Sequence, residues 1–263
     1  MSPIVQELAS VDGKISPSAD ATVPMVDDGL YRGDGAFEVI RLYEGRPFAL
    51  VDHLDRLERS GAAIQLEFDR VALEREIDAL LAAAGAPDGQ LRLIVTRGGR
   101  RIAAVEPIPP HAEAVGIATV TYSPSVILNG VKSLSYAANM QATRIAQGAG
   151  ADEAVLVRPD GTVLEPPTSS IFWVSPQGGL RTPALEAGVL ESITRDRLVK
   201  ALHVEAGSWP VDDLRAAGEA FLASTTREIQ PVSAIDGVEL DAAPGPRTTE
   251  AQDAFQATLG KEL

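Results

Sequence analysis

A proline-rich segment divides this sequence and limits how the chain can fold. Residues 106–110 read Glu-Pro-Ile-Pro-Pro, with three prolines in four residues. Proline lacks a backbone N–H and fixes φ, so this segment cannot lie inside a helix or a central strand. We therefore predict a linker there, between a smaller domain over residues 1–110 and a larger one over residues 111–263. A chain of 263 residues is long enough to form two hydrophobic cores.

The first predicted domain shows both strand and helix patterns. Hydrophobic and polar residues alternate over residues 36–43, which predicts a half-buried strand followed by a turn at Glu44 and Gly45. The other predicted elements are a strand over 47–51, a helix with Asp52 as its N-cap, a helix over 71–84, and a strand over 90–96 before the basic loop 97–101. This part is predicted to be a small α+β domain.

The second predicted domain is richer in strands. Strands are predicted over 115–122, 153–157, 162–164, 170–174 and 220–223, and helices over 137–148, 193–206 and 248–259. Ser192 is a candidate N-cap for the helix that starts at residue 193. These patterns predict a larger, β-rich α/β domain.

Composition and charge narrow the possible functions. The chain has no apolar run of about 18 residues and no basic amino-terminal region, so we predict a cytoplasmic protein without a membrane span or secretory signal. It contains no cysteine, which excludes disulfides and thiolate metal sites. The net charge of −14 argues against nucleic-acid binding, because phosphate backbones need clustered cations.

Several common catalytic motifs are missing from the sequence. The three histidines, His53, His111 and His203, lack the spacing of metal ligands, so no metal site is predicted. No G-x-S-x-G elbow and no Walker loop occur. The Gly-Asp-Gly sequence at 33–35 precedes a predicted strand, whereas a dinucleotide-binding loop follows one.

Lys132 differs from the other three of the chain's four lysines. It is the only charged residue between positions 120 and 143. Desolvation favours the neutral amine, which can form a Schiff base with a carbonyl compound. The commoner explanation for such a lysine is a side chain that extends along apolar surface to reach water, and from this run alone both remain open.

A site for pyridoxal 5′-phosphate needs three kinds of group. A lysine amine binds the cofactor's carbonyl carbon, an anion keeps the pyridine nitrogen protonated, and an arginine with hydroxyls and helix-start N–H groups binds the phosphate. Lys132, Glu165, Arg56, Thr194 and Thr225 are residues of these types. Their spacing alone does not establish such a site.

Six segments in a fixed order resemble a known family. They are GDGAFEVIR from residue 33, HLDRL from 53, KSLSY from 132, GADEAVLV from 150 followed by Glu165 and SIF at 170–172, SITRDR from 192, and STTREIQPV from 224. In this order, and over nearly the full length, the chain resembles the class IV, or fold-type IV, pyridoxal-phosphate-dependent aminotransferases. That family includes branched-chain aminotransferases, D-amino-acid aminotransferases, R-selective amine transaminases and aminodeoxychorismate lyase.

The resemblance implies a fold and a catalytic lysine. The expected fold is a two-domain α/β (α+β) enzyme, with a small α+β domain and a larger β-barrel-like α/β domain. Lys132 resembles the Schiff-base lysine that also serves as general acid and base. Glu165 resembles the partner of the pyridine nitrogen, with a solvated hairpin carboxylate as the alternative. Arg56 resembles the phosphate-binding arginine, with an ion pair on the helix surface as the alternative.

The remaining cofactor contacts also follow from the resemblance. Ile193 and Thr194 are expected at the start of the phosphate-binding helix, with Thr225 and Thr226 supplying hydroxyls from a turn. Ser192 stands where the family often has glycine and Ser170 where it often has asparagine, so backbone contacts are expected to persist while side-chain contacts differ. Tyr136 is expected either near the cofactor's phenolic oxygen or packed in the core.

The substrate contacts depart from those of familiar D-amino-acid aminotransferases, which hold the substrate carboxylate with tyrosine, arginine and histidine. Phe37 takes the tyrosine's place, and the 97–101 loop has no histidine. Arg32, with Arg100 or Arg101, is predicted to form a two-arginine carboxylate trap, because guanidinium groups bind carboxylates bidentately. An ordinary turn arginine pointing to water is the equal alternative for Arg32.

The resemblance, the KSLSY segment and the chain length together favour the D-amino-acid aminotransferase and lyase branch. We expect transfer of an amino group between an amino acid, in either enantiomeric form and with a D-amino acid as one candidate, and a 2-oxo acid. Aminodeoxychorismate lyase is the first alternative, followed by a branched-chain or R-selective amine transaminase. The expected partners are a small-molecule amino donor, a 2-oxo acid and a second copy of the chain in a homodimer with shared active sites.

Overall fold

The protein folds into two compact units. The computed structural model describes residues 5–263. Within that range, the first unit comprises residues 5–110, Val131–Tyr136 and Glu262–Leu263, and the second comprises His111–Gly130 and Ala137–Lys261. Lys132 therefore belongs to the first unit, whereas the sequence prediction placed it in the second domain.

The first unit is built on an antiparallel sheet of six strands, in the order β2-β1-β6-β5-β3-β4. Its elements are β1 Leu8–Val11, β2 Lys14–Pro17, α1 Asp28–Arg32, β3 Gly35–Tyr43, β4 Arg46–Pro47, α2 Leu50–Ala63, α3 Arg70–Ala84, β5 Gly89–Thr96 and β6 Arg101–Glu106. Burial alternates along β3, as expected of a strand with one face on the core.

Helices α2 and α3 supply the apolar cover of this sheet. Residues one helical turn apart, such as Leu54 and Leu57 on α2 and Leu73 and Ile77 on α3, are fully buried. They pack with inward-facing strand residues in one cluster that includes Ile40 of β3. Burial of each such side chain contributes roughly 1.5–3 kcal/mol, which stabilises the packing of the two helices against the sheet.

The predicted strand over 47–51 is wrong, and Asp52 is not the N-cap. Strand β4 ends at Pro47, and α2 begins at Leu50 with Ala49 at the N-cap, where φ is 54°. Buried Phe48 donates its backbone N–H to Arg41 O, and left-handed Ala49 then turns the chain into the helix. The predicted basic loop is also shorter, because Arg101 already pairs with Val95 in β6.

The second unit contains a mixed sheet of eight strands that curls into a half-barrel. The strand order is β11-β10-β9-β12-β13-β7-β8, and β14 pairs with β13. Its elements are β7 Val115–Thr121, α4 Ala137–Gly148, β8 Glu153–Val157, β9 Ser170–Val174, β10 Leu180–Pro183, α5 Ile193–Ala201, β11 Glu205–Gly207, α6 Val211–Arg215, β12 Glu219–Ser224, β13 Glu228–Ile235, β14 Val238–Glu239 and α7 Pro246–Glu262.

Both faces of the central strands in this unit are buried. Alternate residues of β7 and β8 enter two different apolar clusters: Ile117 and Val155 join the cluster around Trp173, and Ala118 joins the cluster beneath α4. Burial on both faces gives β8 and β12 nearly continuous apolar sequences instead of alternating ones. Among the helices of residues 5–263, none has the length and apolarity required to cross a membrane.

Three element predictions in the second unit need correction. The helix predicted over 193–206 ends at Ala201, and residues 205–207 instead form β11, which pairs in parallel with β10. The predicted return strand at 162–164 is reduced to a bridge between Val157 and Val163. Strand β13 was not predicted, since it contains Pro231 and proline seldom occurs in a central strand.

Candidate active site

Backbone contacts fix Lys132 against the free side of β3. Phe37 N donates to Lys132 O at 3.0 Å, and Leu134 N donates to Gly35 O at 2.9 Å. The backbone N–H of Lys132 donates to Ser60 Oγ on α2 at 3.2 Å. Because both a strand and a helix hold this segment, the Lys132 side chain starts from a defined position.

The Lys132 side chain lies against two aromatic rings. Its Nζ is 4.2 Å from the centroid of the Phe37 ring and 5.9 Å from that of Tyr136. The two rings meet edge to face, with centroids 5.3 Å apart. The faces of aromatic rings carry partial negative charge and attract an ammonium group placed over them. The pair of rings therefore defines where the Lys132 amine lies.

A buried triad lies on the adjoining elements of the same unit. Glu38 of β3, which is fully buried, accepts a bidentate pair from Arg56 of α2: Nε to Oε1 at 2.7 Å and Nη2 to Oε2 at 2.7 Å. His53, also fully buried, lies 2.8 Å from Glu38 Oε2 through Nδ1. Arg56 is thus held inside the unit, not at the helix surface.

The charge states within the triad follow from burial and pairing. Burial alone raises the pKa of Glu38, but the charge and hydrogen bonds of Arg56, with those of His53, lower the pKa of Glu38 to about 2. Burial lowers the pKa of His53, and this outweighs the raising effect of Glu38. The positive charges of Arg56 and Lys132 lower the pKa of His53 further. The triad is therefore an Arg56–Glu38 ion pair with a neutral histidine donating from Nδ1.

The three predicted substrate arginines each pair with a different carboxylate. Arg32 ends α1, pairs with Asp28 on the same helix and has a side chain that is 70% exposed. Arg100 pairs with Asp12 at 2.5 Å, and Arg101 pairs with Glu76 of α3 at 2.7 Å. Arg100 also lines a cleft of about 590 Å³ with Lys14 and Thr22. Their guanidinium groups share no carboxylate among the ion pairs of residues 5–263, although Asp12 also accepts the backbone N–H of Arg101 at 2.9 Å.

In the second unit, the first turn of α5 is capped and anchored. Ser192 is its N-cap, and Ser192 Oγ accepts the Arg195 N–H at 3.3 Å, which confirms the predicted cap. Arg195 Nη2 donates to Pro183 O at the end of β10 at 2.8 Å. Ile193 and Thr194 are buried in this turn.

Glu165 is bound to the loop that precedes α5. Its Oε1 accepts the backbone N–H of Leu190 at 2.7 Å, and its own carbonyl accepts the N–H of Leu156 at 3.2 Å. Leu190 lies two residues before Ser192, so the Glu165 carboxylate helps to place the start of α5. Glu165 is half-buried and hydrogen-bonded, unlike a freely solvated hairpin carboxylate.

The remaining predicted residues meet at one edge of the half-barrel sheet. Ser170 begins β9 opposite Ala223 near the end of β12, and the turn that contains Thr225 and Thr226 follows directly. Because β9 and β12 are antiparallel, the start of one and the end of the other share an edge, and β10 ends there too. Ser170 Oγ is buried and has no hydrogen-bond partner among residues 5–263.

Each unit, taken by itself, holds groups of the kinds that bind a phosphorylated pyridoxal cofactor. The second unit offers the N-terminus of a nine-residue helix, threonine hydroxyls, the unpartnered Ser170 Oγ and a carboxylate. The first unit offers a positioned amine and a buried arginine. Among residues 5–263, no group of three histidine, aspartate or glutamate side chains is arranged to hold a metal ion.

Two residues of the buried triad, Glu38 and His53, were not predicted as site residues from the sequence. Glu38 and His53 hold Arg56, and a signal for Glu38 exists in the sequence: it is a carboxylate on the inward face of β3, between Ala36 and Ile40. A charged residue on an apolar face requires a buried partner. His53 and Arg56, three residues apart, occupy one face of α2 and provide it.

Comparison with known proteins gives the class to which this fold and these residues belong. Residues 35–235 match the family model described as amino-transferase class IV. A protein of Methanocaldococcus jannaschii, provisionally named branched-chain-amino-acid aminotransferase, is 36% identical over 86% of the chain and 87% of its own length. The D-alanine aminotransferase of Bacillus licheniformis is 33% identical over 95% of this chain and 96% of its own length. The aminodeoxychorismate lyase of Bacillus subtilis is 28% identical over 96% of this chain and 94% of its own length.

Solved structures agree with this assignment. A fold IV-transaminase from Curtobacterium pusillum is 26% identical with a TM-score of 0.84, covering 95% of this chain and 99% of that one. The branched-chain aminotransferase of Thermoproteus uzoniensis with norvaline is 29% identical with a TM-score of 0.85, covering 97% and 95%. The fold is that of the fold-type IV transaminases, whose class IV enzymes use pyridoxal 5′-phosphate. The chain belongs to the class IV aminotransferase family.

Proposed function

We propose that this aminotransferase moves the amino group of a D-amino acid to a 2-oxo acid. The observation that carries the proposal is the Lys132 amine, held 4.2 Å from the centroid of the Phe37 ring in a unit that also contains the buried Arg56. Similarity to D-alanine aminotransferases over more than nine-tenths of the chain supports the choice of donor.

Each site residue has a proposed role. When bound, pyridoxal 5′-phosphate supplies a ring that accepts the electrons left on the substrate carbon after proton loss. Lys132 would hold the cofactor covalently, and its amine would accept and return the proton of the substrate carbon. The Glu165 carboxylate would accept a hydrogen bond from the pyridine nitrogen and keep that nitrogen protonated, and Tyr136 would donate a hydrogen bond to the phenolic oxygen. The proposed phosphate and ring contacts are Arg56, Ser170, Ser192, Ile193, Thr194, Thr225 and Thr226.

The proposed substrate contacts are Arg32 for the carboxylate and Phe37 for the apolar wall. Within the described part of the chain, Arg32 forms a surface ion pair with Asp28 on its own helix, and exposed pairs of this kind contribute little free energy. Breaking this ion pair to bind a substrate carboxylate would therefore cost little free energy. Arg100 and Arg101 are proposed as secondary ligands, and each would share or exchange its present carboxylate, Asp12 or Glu76.

The test is a half-reaction screen of the holoenzyme. The visible band of the lysine-bound cofactor is followed after addition of D-alanine, L-alanine, a branched-chain L-amino acid, or R- and S-amines. The proposal expects the band to disappear fastest with a D-amino acid and to return on addition of a 2-oxo acid. A faster response to branched-chain L-amino acids would replace it with the activity named for the Methanocaldococcus jannaschii relative.

A lyase is the second candidate, favoured by the similarity to the Bacillus subtilis aminodeoxychorismate lyase. A lyase releases pyruvate from its substrate without an amino acceptor, whereas a transaminase turns over only when a 2-oxo acid is present. Pyruvate release from aminodeoxychorismate, measured with no 2-oxo acid added, therefore distinguishes the two activities.

We also propose that the chain acts as a homodimer. Residues around α1 leave large apolar side chains exposed: Met25 by 69%, Val26 by 77%, Leu30 by 59% and Tyr31 by 54%. Contiguous apolar surface of this kind is common at protein interfaces. Light scattering on the purified protein, compared with a Val26→Asp variant, tests this. The cytoplasmic location stays a prediction.

A further inference from the structure

The turn that contains Thr225 and Thr226 is followed by a buried ion pair. Arg227, the next residue, places Nη2 at 2.7 Å from Glu153 Oε2 at the start of β8. The two side chains are 16% and 5% exposed. Charges this deep are stable only when their hydrogen-bonding capacity is met, so the pair fixes the position of both residues.

Arg227 is held at its other terminal nitrogen as well. Its Nη1 donates to Gln230 Oε1 at 2.7 Å, and its backbone N–H donates to Ser224 Oγ at 3.3 Å. Gln230 of β13 in turn donates to Ala112 O in the segment before β7 at 2.7 Å. In the sheet, β7 lies between β13 and β8. The guanidinium therefore ties together two strand ends that are not direct neighbours.

The Glu153 carboxylate also accepts hydrogen bonds at both of its oxygens. Its second oxygen, Oε1, accepts from Thr143 Oγ1 on α4 at 3.0 Å and from the N–H of Ala154 at 3.1 Å. The carboxylate thus connects α4, β8 and the turn. Because several donors hold this carboxylate in place, the arginine that pairs with it is also restricted in position.

We propose that the Arg227–Glu153 ion pair is a positioning element for the phosphate end of the cofactor, acting through the hydroxyls of Thr225 and Thr226. The inference rests on the proposed phosphate role of those threonines. Both terminal nitrogens of Arg227 donate within the protein, and its positive charge is balanced by Glu153. Arg227 therefore holds the turn and does not itself bind the anion. Misplacing a hydroxyl by a fraction of an ångström is sufficient to lose a hydrogen bond to phosphate.

The test compares two ligands that differ only by the phosphate group. The full chain is freed of cofactor and titrated with pyridoxal 5′-phosphate and with pyridoxal, and Kd is measured for each. Arg227→Met and Glu153→Gln are each expected to raise Kd for pyridoxal 5′-phosphate about tenfold, which is the effect of roughly one lost hydrogen bond to a charged group. Kd for pyridoxal should change less than about twofold, because the lysine and ring contacts persist.

A matched control separates this effect from general destabilisation. Arg181 of β10 is also 16% exposed and pairs with Asp213 at 2.5 Å. Arg181→Met should lower the melting temperature to a similar extent as Arg227→Met and leave the ratio of the two Kd values unchanged. Equal losses for both ligands in Arg227→Met would show a purely structural role and overturn the inference. If Arg227→Met does not fold, Arg227→Lys, which keeps the charge but only one of the two side-chain bonds, should show an intermediate ratio.

Variants of the threonines separate failure of the inference from failure of the proposed function. If Thr225→Val and Thr226→Val leave the ratio of Kd values unchanged, the turn does not bind phosphate and the proposed function of these residues fails. If they change it while Arg227→Met does not, only the positioning role fails. In the triple variant Thr225→Val, Thr226→Val, Arg227→Met, a pair that acts through the hydroxyls adds little to their loss. A full additional loss would make Arg227 a direct phosphate ligand and would overturn the inference.

Discussion

Lys132 is positioned by the backbone of its own segment. Its carbonyl and that of Gly35 complete a short antiparallel pairing with β3, and Ser60 accepts its N–H. The side chain contributes contacts to Phe37 and Tyr136 but no part of this pairing. A substitution that removes only the amine should therefore leave the unit folded.

We expect Lys132→Ala to abolish the visible band of the lysine-bound cofactor. The general acid and base is lost with it, so turnover should fall by roughly 10²–10⁴-fold or more. Absorbance of the purified protein with added cofactor, and single-turnover kinetics, measure the two effects. Lys200→Ala is the control, because Lys200 is 74% exposed and pairs with Asp196 on its own helix; it should keep the band. An unchanged spectrum in Lys132→Ala would mean that another residue binds the cofactor.

Arg32→Ala should discriminate between substrates with and without a carboxylate. Loss of a charged, bidentate contact is expected to raise KM for amino acids about tenfold or more, with little change for simple amines. The comparison of KM for D-alanine and for an amine lacking the carboxylate gives the answer. Arg158→Ala, a half-exposed arginine paired with nearby Asp160, serves as control. Equal changes for both substrates would leave Arg32 as a surface residue.

Among the elements, α5 links the proposed phosphate site to the rest of its unit. Glu165 holds the loop before the helix, Ser192 caps it, and Arg195 binds the end of β10. A helix N-terminus attracts an anion through its free N–H groups and its dipole. The cap therefore stabilises the same turn that we propose to bind phosphate.

Ser192→Ala is expected to cost about 1 kcal/mol of stability and to weaken cofactor binding as well. Ser192→Gly should cost only a few tenths of a kcal/mol, since glycine is itself tolerated at N-caps. Urea unfolding and cofactor titration measure the two quantities. Asp69→Ala, which removes the N-cap of α3 in the first unit, is the matched control. Asp69→Ala should lower stability without changing cofactor affinity. An equal loss of cofactor affinity in Asp69→Ala would contradict the proposed phosphate-binding role of α5.

Elements with long, regular patterns were predicted well, and those decided by distant pairing were not. The helices α3 and α4 and the strand β9 follow the predicted ranges to within one residue. Strand β11 was read as a continuation of α5, because its parallel pairing with β10 is a tertiary contact that local pattern does not contain. Strand β13 was hidden by Pro231, which lies opposite Phe221 in the sheet.

The candidate site divides in the same way. Lys132, Arg56 and Glu165 were predicted as site residues through the family resemblance, from motifs that are local in the sequence. Glu38 carries a local signal as a carboxylate on an apolar strand face. Arg227 and Glu153 carry none, because 74 positions separate them and only the sheet brings them together.

At the scale of the whole molecule, two electrostatic effects oppose each other as pH falls. The chain carries a net charge of −14, so protonation relieves repulsion among surface carboxylates. The buried Glu38 and His53 act in the other direction, since both have lowered pKa values. Surface repulsion is screened at about 0.15 M salt, whereas buried groups are screened much less. The buried groups should therefore determine whether the free energy of unfolding rises or falls as the pH is lowered.

We expect the protein to lose stability on acidification in two stages. The unfolded chain protonates His53 below its ordinary pKa of 6.5, while the folded chain keeps it neutral, so the free energy of unfolding falls by up to about 1.4 kcal/mol per pH unit. Below the ordinary value of 4.5 for Glu38 the unfolded chain takes up a second proton, and this loss continues towards the folded pKa of about 2.

Urea unfolding at a series of pH values, at constant salt, measures both stages. His53→Gln keeps a side-chain N–H for Glu38 but cannot titrate, so the first stage should shrink while the second remains. The part that stays is expected from His111, whose pKa is also lowered by burial and by the charge of Arg227. His203→Gln is the control, because His203 is exposed, and it should reproduce the behaviour of the unmodified protein. A stability that rises from about pH 7 to pH 5 would mean that surface repulsion outweighs the buried histidine. An acid response identical in His53→Gln and the unmodified protein would place the titrating groups elsewhere than in the Glu38–His53–Arg56 triad.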